Sequence, residues 1–172
     1  MNWRLRRAEE ADAAALALVA GATFLEAFAG VLDGADIVAH VAAKSSAEAF
    51  RDWMRDPGSA VTLAEAEAGA APLGYTVLTA PDLPVEPAPG DIELKRIYTL
   101  APTHGGGLGP ALMARALEDA RALGCERVLL GVYGGNVRAQ RFYAKQGFDV
   151  VGTRKFRVGA TWHDDLVFAR AV

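Results

Sequence analysis

The sequence predicts an α/β fold: a mixed central sheet of about seven strands with helices on both faces. Segments of period two and of helical period follow one another in the order βααβββαβαββ, which lays helices against a sheet holding parallel and antiparallel neighbours. The 172 residues suit one domain with a sizeable core. No repeat or internal linker divides them, so residues 1–172 read as a single domain.

Trp3-Arg4-Leu5-Arg6-Arg7 alternates as a short strand. Glu9, Glu10 and Asp12 then place negative charge where a helix begins, and the alanine- and leucine-rich run to Phe28 is that helix. Gly30 and Gly34 punctuate, and a second helix is expected from Ala35 to Met54, stopped by Asp56-Pro57-Gly58. Val61–Glu65 and Leu73–Thr79 form a hairpin pair. Pro81, Pro84, Pro87 and Pro89 make the next ten residues an extended loop. Ile92–Leu100 is a strand, Leu108–Leu123 a helix ended by Gly124, and Arg127–Tyr133 an apolar strand. Asn136 caps a helix that ends near Gly147, and Phe148–Gly152 and Trp162–Ala169 close the sheet.

Composition excludes several function classes. A hydrophobic fraction of 52% with 23% charged residues is that of a globular chain. The formal net charge of -3 supplies no global field for nucleic acid or an acidic membrane, so neither is an expected partner. Cys125 is the only cysteine, which rules out an internal disulfide and a cysteine-built zinc site and fits a reducing cytoplasm. No uncharged apolar run is expected to reach the ~20 residues that span a bilayer. No metal is expected: His163, Asp164 and Asp165 are adjacent in a strand and so alternate between faces. His40 reads as a surface residue of its alanine-rich helix.

The chemistry begins at His104-Gly105-Gly106-Gly107-Leu108-Gly109-Pro110, between a strand and a helix. Glycines leave backbone N–H groups uncovered, and with the helix N-terminus behind them they can cradle an anion. Pro110 fits a first helical turn, which needs no N–H donor there. A turn without a ligand is the other reading. A dinucleotide fingerprint would need a third glycine at Pro110 or Leu112, and a phosphate loop would need Gly-Lys-Ser/Thr six residues on; neither is present.

With Ile97-Tyr98-Thr99-Leu100 before it, this loop resembles the Gln/Arg-x-x-Gly-x-Gly/Ala motif of the Gcn5-related N-acetyltransferase (GNAT) family. The resemblance implies that the loop amides bind the pyrophosphate of acetyl-CoA and that the strand pairs with its pantetheine arm. Gly107 and Gly109 fill the two required positions. His104 stands where Gln or Arg is usual and Gly106 where a basic residue is common, which shifts anion binding onto the amides and onto Arg138 or Arg141. Asn136-Val137-Arg138-Ala139-Gln140-Arg141-Phe142-Tyr143-Ala144-Lys145-Gln146-Gly147-Phe148 is similar to the family's second signature, Asn-x-x-Ala-x-x-Phe-Tyr-x-x-x-Gly-Phe, at every named position. Asn136 and Tyr143 are two helical turns apart and share a face, although Asn136 is also a good N-cap and Tyr143 a good packing residue. Thr23–Phe28 and Glu93–Tyr98 further resemble a bacterial subgroup that includes PaiA-type polyamine acetyltransferases.

The resemblance implies direct transfer of acetyl to a primary amine of a polyamine-like small molecule or of a peptide, and a homodimer is common in the family. Glu93 matches the position of a glutamate base, and alternation is expected to put it on one strand face with Ile97 and Thr99. A salt bridge to Lys95 or Arg96 is its other reading. A backbone N–H near Tyr98 would stabilise the oxyanion, and Tyr143 would protonate the departing thiolate. Phe24, Phe28 and Trp53 read as core, with some of them able to wall an acceptor pocket to which Glu26, Asp33 or Asp36 would draw an amine. Cys125 reads as structural. A module that binds acyl-CoA without turnover is the alternative.

Overall fold

Seven strands form one sheet in the order β1-β2-β3-β4-β5-β7-β6 in the computed structural model, which describes residues 1–158 and 161–172. They are β1 (Trp3–Arg7), β2 (Ala60–Ala66), β3 (Pro72–Thr79), β4 (Asp91–Thr99), β5 (Arg127–Tyr133), β6 (Asp149–Val158) and β7 (Thr161–Ala171). Neighbours are antiparallel except β4 and β5, which run parallel. The helices are α1 (Ala13–Phe28), α2 (Gly34–Lys44), α3 (Ala47–Arg55), α4 (Leu108–Ala122) and α5 (Val137–Lys145).

Two cores lie on opposite sides of the sheet. Leu16, Val19, Phe50, Val61, Tyr75 and Val77 pack α1 and α3 onto one face. Met113, Leu117, Ile92, Leu94, Val128, Leu130 and Tyr143 pack α4 and α5 onto the other. Fully burying a side chain of this size contributes ~1.5–3 kcal/mol, so the sheet is clamped from both sides. The proline-rich loop adds a smaller cluster, Leu83 with Leu129, Val167 and Ala169.

The structure corrects several expectations. The helix expected over Ala35–Met54 is two, α2 and α3, because Ser46 leaves helical geometry and its side chain accepts the Ala49 N–H at 3.2 Å. Such a cap contributes ~1 kcal/mol and begins a new helix in a new direction. The closing strands are longer than expected. β6 and β7 pair from Asp149↔Ala169 to Val158↔Thr161, carrying charged residues that hide the strand pattern. Glu10–Phe28 is also, by length and mean hydropathy, apolar enough to span a membrane. Its residues Leu16, Val19, Ala20, Thr23 and Phe24 are buried here, and α1 packs on β3 and α3.

The correction with most bearing on function is a β-bulge in β4. Val77 pairs with Arg96 and Leu78 with Leu94, so Lys95 has no partner and the alternation inverts across it. Ile97 therefore returns to the face of Leu94 and α4, whereas Glu93 shares the opposite face with Arg96 and Tyr98. Glu93, Ile97 and Thr99 do not lie on one face, because a single extra residue flips every side chain beyond it.

Candidate active site

The parallel β4–β5 pairing covers only Asp91–Glu93 with Arg127–Leu129. Beyond Glu93 the two strands part. Ile97, Tyr98 and Thr99 keep β3 as partner on one side, and β3 approaches closely because residue 74 is glycine: a Cβ there would lie 2.7 Å from the Tyr98 carbonyl oxygen. The β5 side of these residues is bounded by a cleft, a cavity of about 750 Å³.

This cleft gathers most of the residues expected from sequence. Ile97, Tyr98, Thr99, His104, Gly105, Gly107, Gly109, Pro110, Asn136, Arg138 and Tyr143 all line it. Gly105 and Gly107 both have φ of +81°, a conformation that only glycine adopts cheaply. The N–H groups of Gly105, Gly107, Leu108 and Gly109 donate to no acceptor among the described residues. Gly109 differs from its neighbours: a Cβ there would only touch the Phe142 ring at 3.8 Å, so neither backbone nor packing calls for glycine. What its missing side chain leaves open is the cleft. Uncommitted amides at the start of α4, bare glycine surface and the exposed Arg138 on the rim form a cradle that fits a pyrophosphate.

Three expected residues stand elsewhere. The Gly106 N–H is spent on the Thr103 carbonyl at 3.1 Å, and Gly106 does not line the cleft. The Leu108 side chain is buried against Leu112 and Leu73 in the core. Arg141 is exposed but outside the lining, which leaves Arg138 as the cation at the cleft. His104 is held by its ring, Nε2 lying 3.3 Å from the Thr99 carbonyl oxygen. Asn136 is an N-cap as its type suggests, Oδ1 accepting the Ala139 N–H at 3.0 Å, and it lines the cleft as well.

Tyr143 is packed among the rings of Phe142, Phe148 and Phe168, with centroids 5.5–6.1 Å away, and only 8% of its surface is accessible. Burial, with Tyr98 nearby, pushes its phenol well above the ordinary tyrosine range, so it stays protonated at neutral pH. Cys125 packs at the margin of the same core, and burial with the charge of Asp91 raises its thiol, which disfavours the reactive thiolate.

A second cavity, about 590 Å³, opens on the α1–α2 side of the sheet. Phe28, Val31, Tyr98 and Tyr133 line both cavities. Glu93 belongs to this second one. It is buried, its Oε2 accepts the Asp82 N–H at 2.8 Å, and Lys95 Nζ lies 3.8 Å away. Phe24 and Phe28 wall the same space, as one sequence reading allowed, while Trp53 packs in the core. Asp33 is spent as the N-cap of α2, Asp36 lines neither cavity, and Glu26 sits at the cleft, where it accepts the Ala101 N–H at 2.9 Å.

Sequence reasoning missed much of this second wall. His40 is half-buried: it stacks on Phe24 with ring centroids 4.3 Å apart, and burial, then Arg96 and Lys44, push it down to about 4. Asp165 is buried and takes Arg154 Nε at 3.1 Å. Gly131 makes that pair possible, since a Cβ there would stand 2.7 Å from the Arg154 guanidinium. The side chain of His163 lies outside the described residues. Gly134-Gly135 lies beside this wall, where a Cβ at residue 135 would stand 2.6 Å from the Tyr133 ring that borders both cavities.

Known proteins agree with this architecture. Residues 26–148 match the model of the acetyltransferase (GNAT) family. An uncharacterized N-acetyltransferase of Mycobacterium tuberculosis is 39% identical over 159 residues, which cover 92% of this chain and 97% of that one. The PaiA N-acetyltransferase of Thermoplasma acidophilum, solved in complex with coenzyme A, superposes over 100% of both chains with a TM-score of 0.82 at 20% identity. The yncA protein of Salmonella typhimurium, solved with its cofactor acetyl-CoA, superposes over 99% of this chain and 94% of its own, with a TM-score of 0.68 at 20% identity. With a family match spanning most of the chain and a relative this similar along nearly its whole length, the protein belongs to the GNAT family of acetyltransferases.

Proposed function

We propose that the chain transfers the acetyl group of acetyl-CoA directly to a primary amine of a small molecule, polyamine-like or otherwise, or of a peptide. The observation that carries this is the meeting of two cavities at Tyr98 and Tyr133, one lined by the glycine cradle and Tyr143, the other by Glu93. Acetyl-CoA supplies an activated thioester. The free amides of Gly105, Gly107, Leu108 and Gly109, with Arg138, hold its pyrophosphate; Ile97, Tyr98 and Thr99 offer the unpaired edge of β4 to its pantetheine arm; Asn136 and Pro110 complete the wall.

The amine must lose its proton before it attacks. With a lysine-like pKa of ~10.4, about one molecule in 2,500 is neutral at pH 7, a deficit of ~4.6 kcal/mol. Glu93 takes that proton, directly or along waters, and passes it to solvent. A β4 backbone N–H near Tyr98 steadies the acetyl oxygen as the N–C bond forms and the C–S bond breaks. The second proton shed by the nitrogen balances the one Tyr143 delivers to the coenzyme A sulfur. A cytoplasmic setting belongs to the same reading, since Cys125 is a free thiol.

Calorimetric titration with acetyl-CoA, with NAD and ATP as controls, tests the cleft, and thiol release across an amine panel tests transfer. Binding of acetyl-CoA alone and amine-dependent thiol release are expected. Binding without release from any amine would instead identify a non-catalytic acyl-CoA sensor, and no binding would refute both.

A further inference from the structure

The charges around the second cavity do not cancel. Among the described residues, five lining cations, Lys44, Lys95, Arg96, Arg154 and Lys155, outnumber three lining carboxylates: Asp82 and Glu93 share Lys95 at 3.7 and 3.8 Å, and Asp165 faces Arg154 at 3.1 Å. Lys155 pairs with Asp164 at 2.6 Å. Arg96 and Lys44 remain, and neither has a carboxylate within 4.0 Å among the described residues. One Arg96 nitrogen, Nη2, donates to the Lys44 carbonyl at 3.3 Å, and the buried Tyr75 hydroxyl lies alongside. That carbonyl ends α2 and brings about half a negative charge at most, against two full positive ones.

Resting on the acetyl-transfer reading, we infer that the acceptor amine also carries an oxyanion, a carboxylate foremost, bound by Arg96 and Lys44. The acceptor is thus of the amino-acid type rather than a polyamine. Its apolar stem lies against Phe24 and Phe28, and its amine points to Glu93. A guanidinium presents paired N–H donors that match two carboxylate oxygens, and a half-buried one gains most from such a partner. A polyamine has nothing equivalent to meet here. Its second ammonium would approach Arg96 and Lys44, on a wall where cations outnumber carboxylates. His40, stacked beside the same wall and neutral at pH 7, adds no competing charge.

The test is calorimetric binding of α- and ω-amino acids, their carboxamides, aminoalkylphosphonates, putrescine and spermidine to the protein loaded with coenzyme A. Thiol release from acetyl-CoA is followed in parallel with each amine. At least one amino acid should bind about 10–100-fold more tightly than its carboxamide. Arg96→Gln should erase that difference and leave acetyl-CoA affinity unchanged. Lys44→Gln, at an exposed position, should reduce it, and serves if Arg96→Gln fails to fold. Preference for phosphonates over carboxylates would keep the oxyanion and change its kind. A carboxamide or polyamine used as well as any amino acid, or no amino acid binding at all, would overturn the inference while leaving acetyl transfer standing. Arg96-dependent amino-acid binding without thiol release would sink transfer and keep the oxyanion pocket.

Discussion

Glu93 and Ile97, four residues apart on one strand, face opposite sides of the sheet, because Lys95 bulges out of the ladder between them. The strand thereby serves two compartments. Ile97 walls the cleft proposed for acetyl-CoA, and Glu93 sits in the cavity proposed for the amine.

Glu93→Gln is therefore expected to lower kcat by ~10²–10⁴ and to leave acetyl-CoA affinity as it was. Glutamine still accepts the Asp82 N–H, so the loop stays in place and the loss reports proton transfer. Wild-type turnover in this variant would assign Glu93 to holding the loop alone.

Tyr143→Phe keeps the ring among Phe142, Phe148 and Phe168 and removes only the hydroxyl. Stability and acetyl-CoA binding should be preserved while turnover falls ~10²–10⁴-fold. Steady-state rates beside a calorimetric Kd check this, and equal turnover would take the tyrosine out of the mechanism.

The glycines of the cradle should separate by cause. Gly107→Ala forces a side chain onto a φ of +81° and should cost ~1–2 kcal/mol of stability together with cofactor binding. Gly109→Ala places a methyl in ordinary contact with Phe142, so the melting temperature should hold while acetyl-CoA affinity drops. Gly109→Glu should abolish binding. Unchanged affinity in both Gly109 variants would refute the pyrophosphate assignment.

His40 predicts an acid-sensitive stability. Its native value of about 4 lies below the ordinary 6.5, so the unfolded chain binds more protons between these pH values. Stability is complete above pH 6.5 and is lost as pH falls toward 4. In denaturant melts the wild type should lose stability over that window faster than His40→Gln; parallel slopes would count against the half-buried, neutral imidazole beside Arg96 and Lys44.

What the sequence disclosed was what short stretches decide. Gly105 and Gly107 are needed for their own dihedral angles, Asn136 caps its own helix, and Tyr143 lies two turns along the same helix, so each could be read from neighbours. The bulge at Lys95 could not, since nothing in Glu93–Ile97 marks an extra residue; the ladder with β3 sets it. Ser46 hid inside a helix-forming run because capping competes with propensity only by ~1 kcal/mol. The amine-side wall was least legible of all. Phe24, His40, Arg96, Arg154 and Asp165 come from five elements, and the β6–β7 pairing together with the packing of α1 and α2 over the sheet brings them together.

The four residues common to both cavities also set an order of events. Because Phe28, Val31, Tyr98 and Tyr133 are walls of each, the proposed assignment has the two reactants enter from opposite faces and meet through the sheet. Neither has to leave before the other arrives, and no side chain has to carry the acetyl group in between. Double-reciprocal plots at varied acetyl-CoA and amine should accordingly intersect, and coenzyme A should compete with acetyl-CoA but not with the amine.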